Sequence, residues 1–471
     1  MASRFQTVNY PAVGESYQSP SLPASAQRTV NMYPEAIPNG LSKVVLHNFP
    51  GLDRKLSGNS GEFDRGVHRF KGNLYQVAGS QLYLVSDNYV RTAIGSIAGN
   101  DRVSISDNGS TMVIVTGGSG EYTYDGATFS STTLGSNPTN VEYLNASFFF
   151  DDDDGRVSVT DPGALTIPGL NYFTPESAPD DLVRSYVFNQ YIYLFGERTI
   201  EPWQYTGIGT PPVERMNGAI IENVGLAGRN AVANTEKAIY FVSDKGSAEQ
   251  LQGFSPNEIT TVAVANEWRL YTLSDAIVQT IDIQGLDFVV FMFPTDGKTW
   301  CYVEQYALWF ELEHGTAGER WRGNSIIEAY GRTLVADYAT GNIYNLDPDV
   351  YTDNGVTTVR ERIFAPLAGE NLGNKPRQWF QWNEFGVSLQ TGVGNAAERN
   401  PKLMISFSTN GAYTFSNERF VPLGDTGLYQ TDIRVNDNKH FQDLTVKLRY
   451  TEPTKFSLFS SYIKVRESGR R

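Results

Sequence analysis

The chain has 471 residues, more than one hydrophobic core usually holds, so we expect two or three domains. Aromatic residues are frequent at 13%, glycine occurs 44 times and charged residues are only 19%, a mixture that favours β structure with many short hairpins. A hydrophobic content of 40% excludes global disorder, and the formal net charge of −14 argues against a broad DNA-binding face.

The sequence carries no sign of disulfides, secretion or membrane insertion. Its single cysteine, Cys301, cannot form a disulfide within one chain and lies in a strand-like stretch, so we expect it in a core. The first residues lack the apolar region of a signal peptide, and the longest apolar run, residues 288–293, is too short to cross a bilayer. We therefore expect a protein that is made in the cytoplasm and stays soluble.

Residues 1–50 have the composition of an extended arm. Proline and serine are dense between Tyr10 and Gln27, and no periodic apolar pattern is present. Such a segment has little core of its own, so we expect it to lie over other surfaces and to end at the turn Pro50-Gly51.

Residues 51–350 contain a loose repeat of a short apolar strand, a turn and a second strand that often carries an aromatic residue. Seven such units begin at Asn73, Thr111, Ser147, Tyr191, Ala238, Phe288 and Thr333. Their spacing of about 35–50 residues is that of a four-stranded propeller blade. We therefore predict an all-β fold with a β-propeller of six or seven blades, the alternative being a string of separate β domains.

Residues 351–471 show a different pattern. A polar, turn-rich stretch at 368–378 is a plausible linker, and clean alternation of apolar and polar residues follows it. The apolar positions that share one strand face are Phe385, Val387, Leu389, Leu403, Ile405, Phe407, Leu444, Val446, Leu448 and Tyr450. This alternation is typical of an antiparallel sheet buried on one face, so we predict a C-terminal β-sandwich-like domain.

Motifs for catalysis, cofactors or metals are missing from the sequence. The four histidines stand at no metal-ligand spacing from one another or from Cys301, and neither a nucleophile elbow nor a phosphate-binding P-loop occurs. A Ser-His-Asp triad can be assembled from distant residues and stays open. We expect no enzyme activity, no cofactor and no metal.

The run Asp151, Asp152, Asp153 and Asp154 is the most conspicuous local feature. A solvated hairpin turn is the simplest interpretation. Adjacent carboxylates could also ligate calcium, although the spaced ligands of an EF-hand loop are missing. The third interpretation is a loop that contacts a basic partner, and this is the candidate partner-contact site that we carry forward.

Several segments together resemble one known family. They are RTVNMYPE from Arg28, NFPGLDRK from Asn48, FDRGVHRFKGNLYQVAGSQLYLV from Phe63, YVFNQYIYLFGERTIEPWQYTG from Tyr186, LMISFSTNGAYTFSNERF from Leu403 and DLTVKLRY from Asp443. Their order and spacing over nearly the whole chain resemble the packaged-DNA stabilisation proteins of short-tailed phages, also called tail hub or tail accessory factors.

This resemblance implies a structural component of the virion tail. Such a protein docks below the portal–adaptor rings as a homo-hexameric ring, extends and closes the DNA channel, and retains the packaged genome. It also anchors the needle or plug and the tailspikes. The net charge of −14 adds the hypothesis that an acidic channel wall lets genome DNA slide without specific binding.

Two alternatives remain open at this stage. The first is a carbohydrate-binding or carbohydrate-active propeller in a receptor-binding tail component, which would need carboxylates and aromatic rings that converge at one mouth of the propeller. The second is a scaffold propeller unrelated to phages.

Overall fold

The computed structural model describes residues 4–39, 42–134, 137–176, 180–372 and 377–468. Nearly all of the regular structure in these ranges is short β-strands, with one α-helix, Val262–Trp268, and one 3-10 helix, Glu370–Leu372. Within the same ranges, no helix has the length and apolar character needed to span a membrane.

Six blades of a β-propeller are each built from four consecutive antiparallel strands. Blade 1 contains Asp64–Phe70, Asn73–Ala78, Gln81–Val85 and Arg91–Ser96; blade 2 contains Ser104–Asp107, Met112–Val115, Glu121–Tyr124 and Phe129–Thr132; blade 3 contains Pro138–Leu144, Ser147–Asp152, Val157–Val159 and Tyr172–Phe173. Blade 4 contains Leu182–Phe188, Tyr191–Gly196, Thr199–Tyr205 and Val213–Arg215, with Ile221–Glu222 added; blade 5 contains Val232–Asn234, Ile239–Val242, Ala248–Gln252 and Ser255–Glu258; blade 6 contains Ile277–Ile283, Leu286–Phe293, Lys298–Val303 and Leu308–Glu311.

A further four-stranded blade, blade 7, closes the ring with a strand from the other end of the domain. Its first three strands are Gly323–Ala329, Arg332–Asp337 and Ile343–Asp347, and its outermost strand is Gly51–Leu56. Gly51–Leu56 precedes blade 1 in sequence and runs antiparallel to Ile343–Asp347. Backbone hydrogen bonds therefore hold the two ends of the propeller together without a covalent link. The short hairpins Glu313–His314 with Glu319–Arg320 and Thr352–Asp353 with Val356–Thr357 flank this blade.

All seven predicted repeat units are confirmed as parts of blades, and each spans the second and third strands of its blade. These middle strands are buried on both faces, as in Ser147–Asp152 and Leu286–Phe293, so their sequences are strongly apolar. Hydrophobic clusters fill the space between neighbouring blades, such as the one that joins blade 1 to blade 2. The short helix Val262–Trp268 was missed because seven residues are too few for a periodic pattern.

The second domain is the predicted β-sandwich, and its fold class is confirmed. One sheet contains Met32–Ala36, Val44–Asn48, Ser457–Glu467, Phe380–Leu389 and Ile433–Asn436, with Gln6–Asn9 and His440–Phe441 paired beside them. The other sheet contains Ala26–Val30, Arg360–Ile363, Asp443–Tyr450, Lys402–Ser408 and Arg419–Pro422, with Tyr17–Gln18 and Leu367–Ala368 at its margins. All ten apolar residues of the predicted alternation lie in one core between the sheets.

The segment expected to be an extended arm is instead built into this sandwich. Strand Gln6–Asn9 pairs with Ser457–Glu467, and Tyr10 and Met32 belong to the sandwich core. The Tyr10 hydroxyl donates a hydrogen bond to the carbonyl of Ala365 at 2.7 Å. The sequence pattern did not show this because the partner strands lie some 450 residues away, whereas periodicity reports only on local structure.

One strand of this N-terminal segment joins the two domains. Ala26–Val30 pairs antiparallel with Arg360–Ile363 of the sandwich, and through Val30 it forms a parallel bridge to Glu311 of blade 6. Blade 6 and the second sandwich sheet are therefore one continuous sheet.

Charged side chains reinforce this junction. Arg28 forms ion pairs with Glu311 at 2.5 Å, Glu313 at 2.5 Å and Glu361 at 3.4 Å. Beside it, the fully buried Arg362 donates hydrogen bonds to the Ala12 carbonyl and to other oxygen atoms of the N-terminal segment. Arg28 thus holds blade 6 and the sandwich together by charge as well as by backbone pairing.

We expect Tyr10→Ala to lower the free energy of unfolding by about 3–5 kcal/mol, because it empties a large site in the sandwich core. Tyr10→Phe should cost about 1 kcal/mol, since it removes only the hydroxyl. Urea unfolding followed by tryptophan fluorescence measures both, and Tyr413→Ala, at a side chain 65% exposed, is the control. If Tyr10→Ala were as silent as the control, residues 6–10 would not be part of the core.

Arg28→Met should lower the free energy of unfolding by about 3 kcal/mol, because three largely buried carboxylates lose their common cation and repel one another. Arg434→Met removes an exposed ion pair with Asp432 and should change stability by less than about 1 kcal/mol. The same urea experiment compares them. Equal effects of the two substitutions would contradict the role given to Arg28.

Candidate binding sites

A large cavity of the propeller lies in its central channel. The first strand of every blade lies innermost, and these strands all begin at the same mouth of the channel. The cavity at this mouth has a volume of about 1040 Å³ and is lined by residues from all seven blades. We call it the channel site. Propellers commonly bind ligands at such a position because loops and strand ends from every blade converge there.

Charged side chains of both signs line the channel site. Its arginines are Arg102, Arg184, Arg229 and Arg320, and its carboxylates are Asp64, Asp101, Glu142 and Asp275. The formal charge of this lining is therefore balanced, in contrast to the net charge of −14 of the whole chain. The acidic wall expected for a DNA channel is not found in the propeller's own channel.

Arg184 and Glu142 form the one ion pair between these lining residues in the described part of the chain. Their closest N–O distance is 3.2 Å, and Arg184 also donates a hydrogen bond to the backbone carbonyl of Arg229 at 3.0 Å. Burial raises the pKa of Glu142 to about 7, although the charge of Arg184 acts in the opposite direction. Glu142 therefore changes its charge near neutral pH.

Asp64 accepts hydrogen bonds from side chains of two blades. It is buried and accepts hydrogen bonds from the side chains of Gln76, Asn324 and Ser325, while Arg102 donates to the Asn324 carbonyl at 3.1 Å. Burial raises the pKa of Asp64. These contacts tie blade 1 to blade 7, so the simplest role of Asp64 is to hold neighbouring blades together.

Two tyrosines of the channel site are covered by guanidinium groups. The Arg320 guanidinium lies 4.4 Å from the centre of the Tyr338 ring, and that of Arg184 lies 5.4 Å from the centre of Tyr186. The Tyr186 hydroxyl donates to the side chain of Asn234 at 2.6 Å. A sugar that stacked on either ring would have to compete with a cation–π contact already in place.

The sequence pattern did not reveal these arginines. Arg102, Arg229 and Arg320 precede the innermost strands of blades 2, 5 and 7 by two or three residues, and Arg184 lies within the innermost strand of blade 4. An arginine that recurs at or just before the innermost strand of several blades is a sequence signal for a shared site in the channel. It could have been used only after the innermost strands had been located, and the sequence pattern located the second and third strands of each blade instead.

The structure divides the aspartate run into two parts and corrects the prediction for half of it. Asp151 and Asp152 are buried in the second strand of blade 3, where Asp151 accepts hydrogen bonds from Asn140 and from the backbone of Ser185. Because both side chains are buried, they form no partner-contact surface. Asp153 and Asp154 do lie in the hairpin turn, and their contact with a basic partner remains a prediction.

Histidine and cysteine have local partners instead of a shared centre. His47 pairs with Glu35 at 2.8 Å, His68 with Asp107 at 2.6 Å, and Cys301 is buried in a core between blade 6 and its neighbours. In the described ranges, no group of three or more His, Cys, Asp and Glu side chains is placed to hold a metal ion.

Exposed apolar side chains occur along the free edge of the second sandwich sheet. Phe420 lies on the edge strand Arg419–Pro422, Tyr413 lies in the loop before that strand, and Leu428 and Tyr429 lie in the loop after it. All four side chains are more than half exposed. We call this set the edge patch, because exposed apolar groups beside an unpaired strand edge mark surfaces that bind other proteins.

Comparison with known families identifies the whole chain. A family model described as bacteriophage P22 Gp10, β-propeller, matches residues 14–351, and a second model, bacteriophage P22 Gp10, β-sandwich, matches residues 371–466. The chain belongs to the P22 Gp10 family. The resemblance to a tail hub protein of short-tailed phages is thereby confirmed. The propeller match also includes residues 14–50, whose strands lie in the sandwich sheets.

Individual relatives are distant. The tail hub protein gp10 of Salmonella phage P22 is 22% identical over 426 residues, covering 82% of this chain and 84% of the relative. Among solved structures, the WD40 β-propeller domain of Doa1 is 12% identical with a TM-score of 0.41, covering 63% of this chain and 97% of that domain. The extracellular domain of a hybrid two-component system from B. thetaiotaomicron is 10% identical with a TM-score of 0.45, covering 63% of this chain and 40% of that structure.

The raised pKa of Glu142 predicts a pH dependence of stability. Because the folded protein holds this proton more tightly than the unfolded chain, the contribution of Glu142 is complete at low pH and is lost as the pH rises from about 4.5 to 7. Between pH 5 and pH 8 we expect Glu142→Gln to gain roughly 2–3 kcal/mol of stability relative to the wild type. Urea unfolding at both pH values measures this gain.

Glu328→Gln, at an exposed position of the innermost strand of blade 7, is the matched control and should show no such gain. A pH-independent difference between Glu142→Gln and the wild type would show that Glu142 is ionised throughout this range.

Proposed function

We propose that this protein is the structural tail hub of a short-tailed phage. It docks below the portal–adaptor rings after packaging, extends and closes the DNA channel, retains the genome, and anchors the needle or plug and the tailspikes. The observation that carries this proposal is the family match over both domains, together with a relative that is named a tail hub protein.

The architecture supports a load-carrying role in a ring. The propeller is closed by backbone pairing at blade 7, and blade 6 continues directly into the sandwich. The two domains share one sheet and the buried ion pairs around Arg28. They would therefore transmit force as one rigid unit and would not bend at a linker. Repeated heterologous contacts between such rigid units generate a closed ring, and we propose six copies in it.

The channel site supports a structural interpretation of the propeller interior. Glu142 is paired with Arg184, Asp64 takes three side-chain hydrogen bonds, and the rings of Tyr186 and Tyr338 are covered by arginines. A glycoside hydrolase needs two carboxylates free to flank a sugar, and a sugar-binding site needs open aromatic faces. These contacts favour a hub over a carbohydrate-active propeller.

Genome DNA would pass through the centre of the ring and not through a propeller. The channel site is a small-molecule cavity of about 1040 Å³ whose lining side chains meet across it, so a DNA duplex does not fit. The wall of the ring channel would be formed by outer surfaces of the chains. With a net charge of −14, these surfaces would repel phosphates and let the DNA slide without specific binding.

The edge patch is our candidate for an assembly surface. Apolar side chains of this size are costly to leave in water, and aromatic residues are enriched at the centre of protein interfaces. We propose that the edge patch becomes buried when the ring forms on the adaptor. The turn residues Asp153 and Asp154 are a second, charged candidate for contact with a basic partner.

We expect the purified protein to be a monomer that forms a multi-copy ring only when portal–adaptor complexes are added. Native mass spectrometry of the protein alone and of the mixture measures this. The double substitution Phe420→Asp and Tyr429→Asp should weaken assembly at least tenfold, because it places charges in a buried contact. Val90→Asp, at a side chain 62% exposed on blade 1, is the matched control and should assemble normally.

A protein that ignores portal–adaptor complexes but binds or cleaves host polysaccharide would overturn the hub proposal. Normal assembly of the double variant would leave the hub role in place but would remove the edge patch from the interface.

A further inference from the structure

The four arginines of the channel site come from four different blades and line one cavity. Arg184 donates to the backbone carbonyl of Arg229 at 3.0 Å, and Arg102 and Arg320 both donate to Asn324, at 3.1 Å and 3.2 Å. Arg184 therefore lies beside Arg229, and Arg102 lies beside Arg320. Like charges repel at such distances, so an arrangement of this kind needs compensating negative charge.

Most of these guanidinium groups have no carboxylate partner. Among the described residues, Arg184 has an ion pair with Glu142, whereas no carboxylate oxygen lies within 4.0 Å of Arg102, Arg229 or Arg320. Two of the other three carboxylates in the lining are engaged by uncharged groups. Asp64 accepts hydrogen bonds from three neutral side chains, and Asp275 accepts from the backbone and hydroxyl of Thr295.

Guanidinium donors remain unused in the buried part of the cavity. Arg320 is only 7% exposed, and the Nε atoms of Arg320 and Arg184 are buried without a hydrogen-bond partner. Burial, with a smaller contribution from the charge of Arg102, lowers the pKa of Arg320 to about 10. Buried cations with unused donors are unfavourable in an empty cavity, and they are satisfied when an anion with several acceptor oxygens is bound.

We infer that the channel site binds a small oxyanion of the phosphate type, held by Arg102, Arg184, Arg229 and Arg320. The planar guanidinium fork matches the oxygens of phosphate, and the carboxylate of an acidic sugar shares this chemistry. A cavity of about 1040 Å³ admits a free anion or a small molecule that carries one. The bound anion would pair with these guanidinium groups and tie blades 2, 4, 5 and 7 together.

This inference goes beyond the proposed hub function and does not depend on it. Binding of a small anion is a property of the isolated chain, whereas the hub role requires portal–adaptor complexes. Failure of one experiment therefore leaves the other proposal standing.

Isothermal titration calorimetry of the full chain with inorganic phosphate, at constant ionic strength and with chloride as the balancing salt, tests the inference. We expect saturable binding of one phosphate per chain. Arg229→Gln should weaken it about tenfold, because one charge-assisted contact is lost. Arg229 is exposed and has no ion pair in the described ranges, so this substitution should leave the fold intact. Arg320→Gln should weaken binding by a similar or larger factor.

Arg156→Gln is the matched control, since Arg156 lies in the hairpin turn of blade 3 and pairs with Asp154 outside the channel. It should bind phosphate like the wild type. Competition by glucuronate that exceeds the effect of phosphate would identify an acidic sugar as the ligand, and weaker competition would identify a phosphate. Absence of saturable binding of either anion, or equal affinities of the wild type, Arg229→Gln and Arg320→Gln, would overturn the inference.

Discussion

The pairing of strand Ala26–Val30 on both of its sides is the interaction on which the rest of the structure depends. On one side it bridges to Glu311 of blade 6, and on the other it pairs with Arg360–Ile363 of the sandwich. Arg28 lies on this strand and forms ion pairs with three carboxylates at the junction. Without the arginine, these carboxylates would repel one another. Without this strand, the two domains would be joined chiefly by the two chain segments at blade 7, one that enters it at Gly51–Leu56 and one that leaves it after Ile343–Asp347.

The same N-terminal segment also completes the propeller. Gly51–Leu56 supplies the outer strand of blade 7, so ring closure and domain docking are both achieved by residues that precede blade 1. Without Gly51–Leu56, the outer edge of Ile343–Asp347 would be left unpaired, and this strand covers it. Rigidity of the whole chain thus comes from one short stretch of sequence with little core of its own.

Local patterns predicted much of this fold and failed where distant residues decide the structure. The middle strands of the blades are apolar on both faces, and the sandwich strands alternate cleanly, so both could be found from the sequence. Strands Gln6–Asn9 and Ala26–Val30 could not be placed, because their partners in the sandwich are hundreds of residues away. The channel arginines could not be grouped from the sequence, since only ring closure brings blades 2 and 7 together. The burial of Asp151 could not be predicted either, because it depends on contacts with Asn140 and Ser185.

The closing strands have a consequence for how the protein is made. Gln6–Asn9 pairs with Ser457–Glu467, which leaves the ribosome after every other strand that the structure describes. Blades 1 to 5 can fold as they emerge, but Gln6–Asn9 stays without this partner until residues 457–467 have been made. A chain cut before Ile343–Asp347 would lack the closed ring, and a chain cut before Arg360–Ile363 would lack the sandwich side of the domain junction. Both joints therefore form late in synthesis, so a truncated copy would not acquire the rigid form.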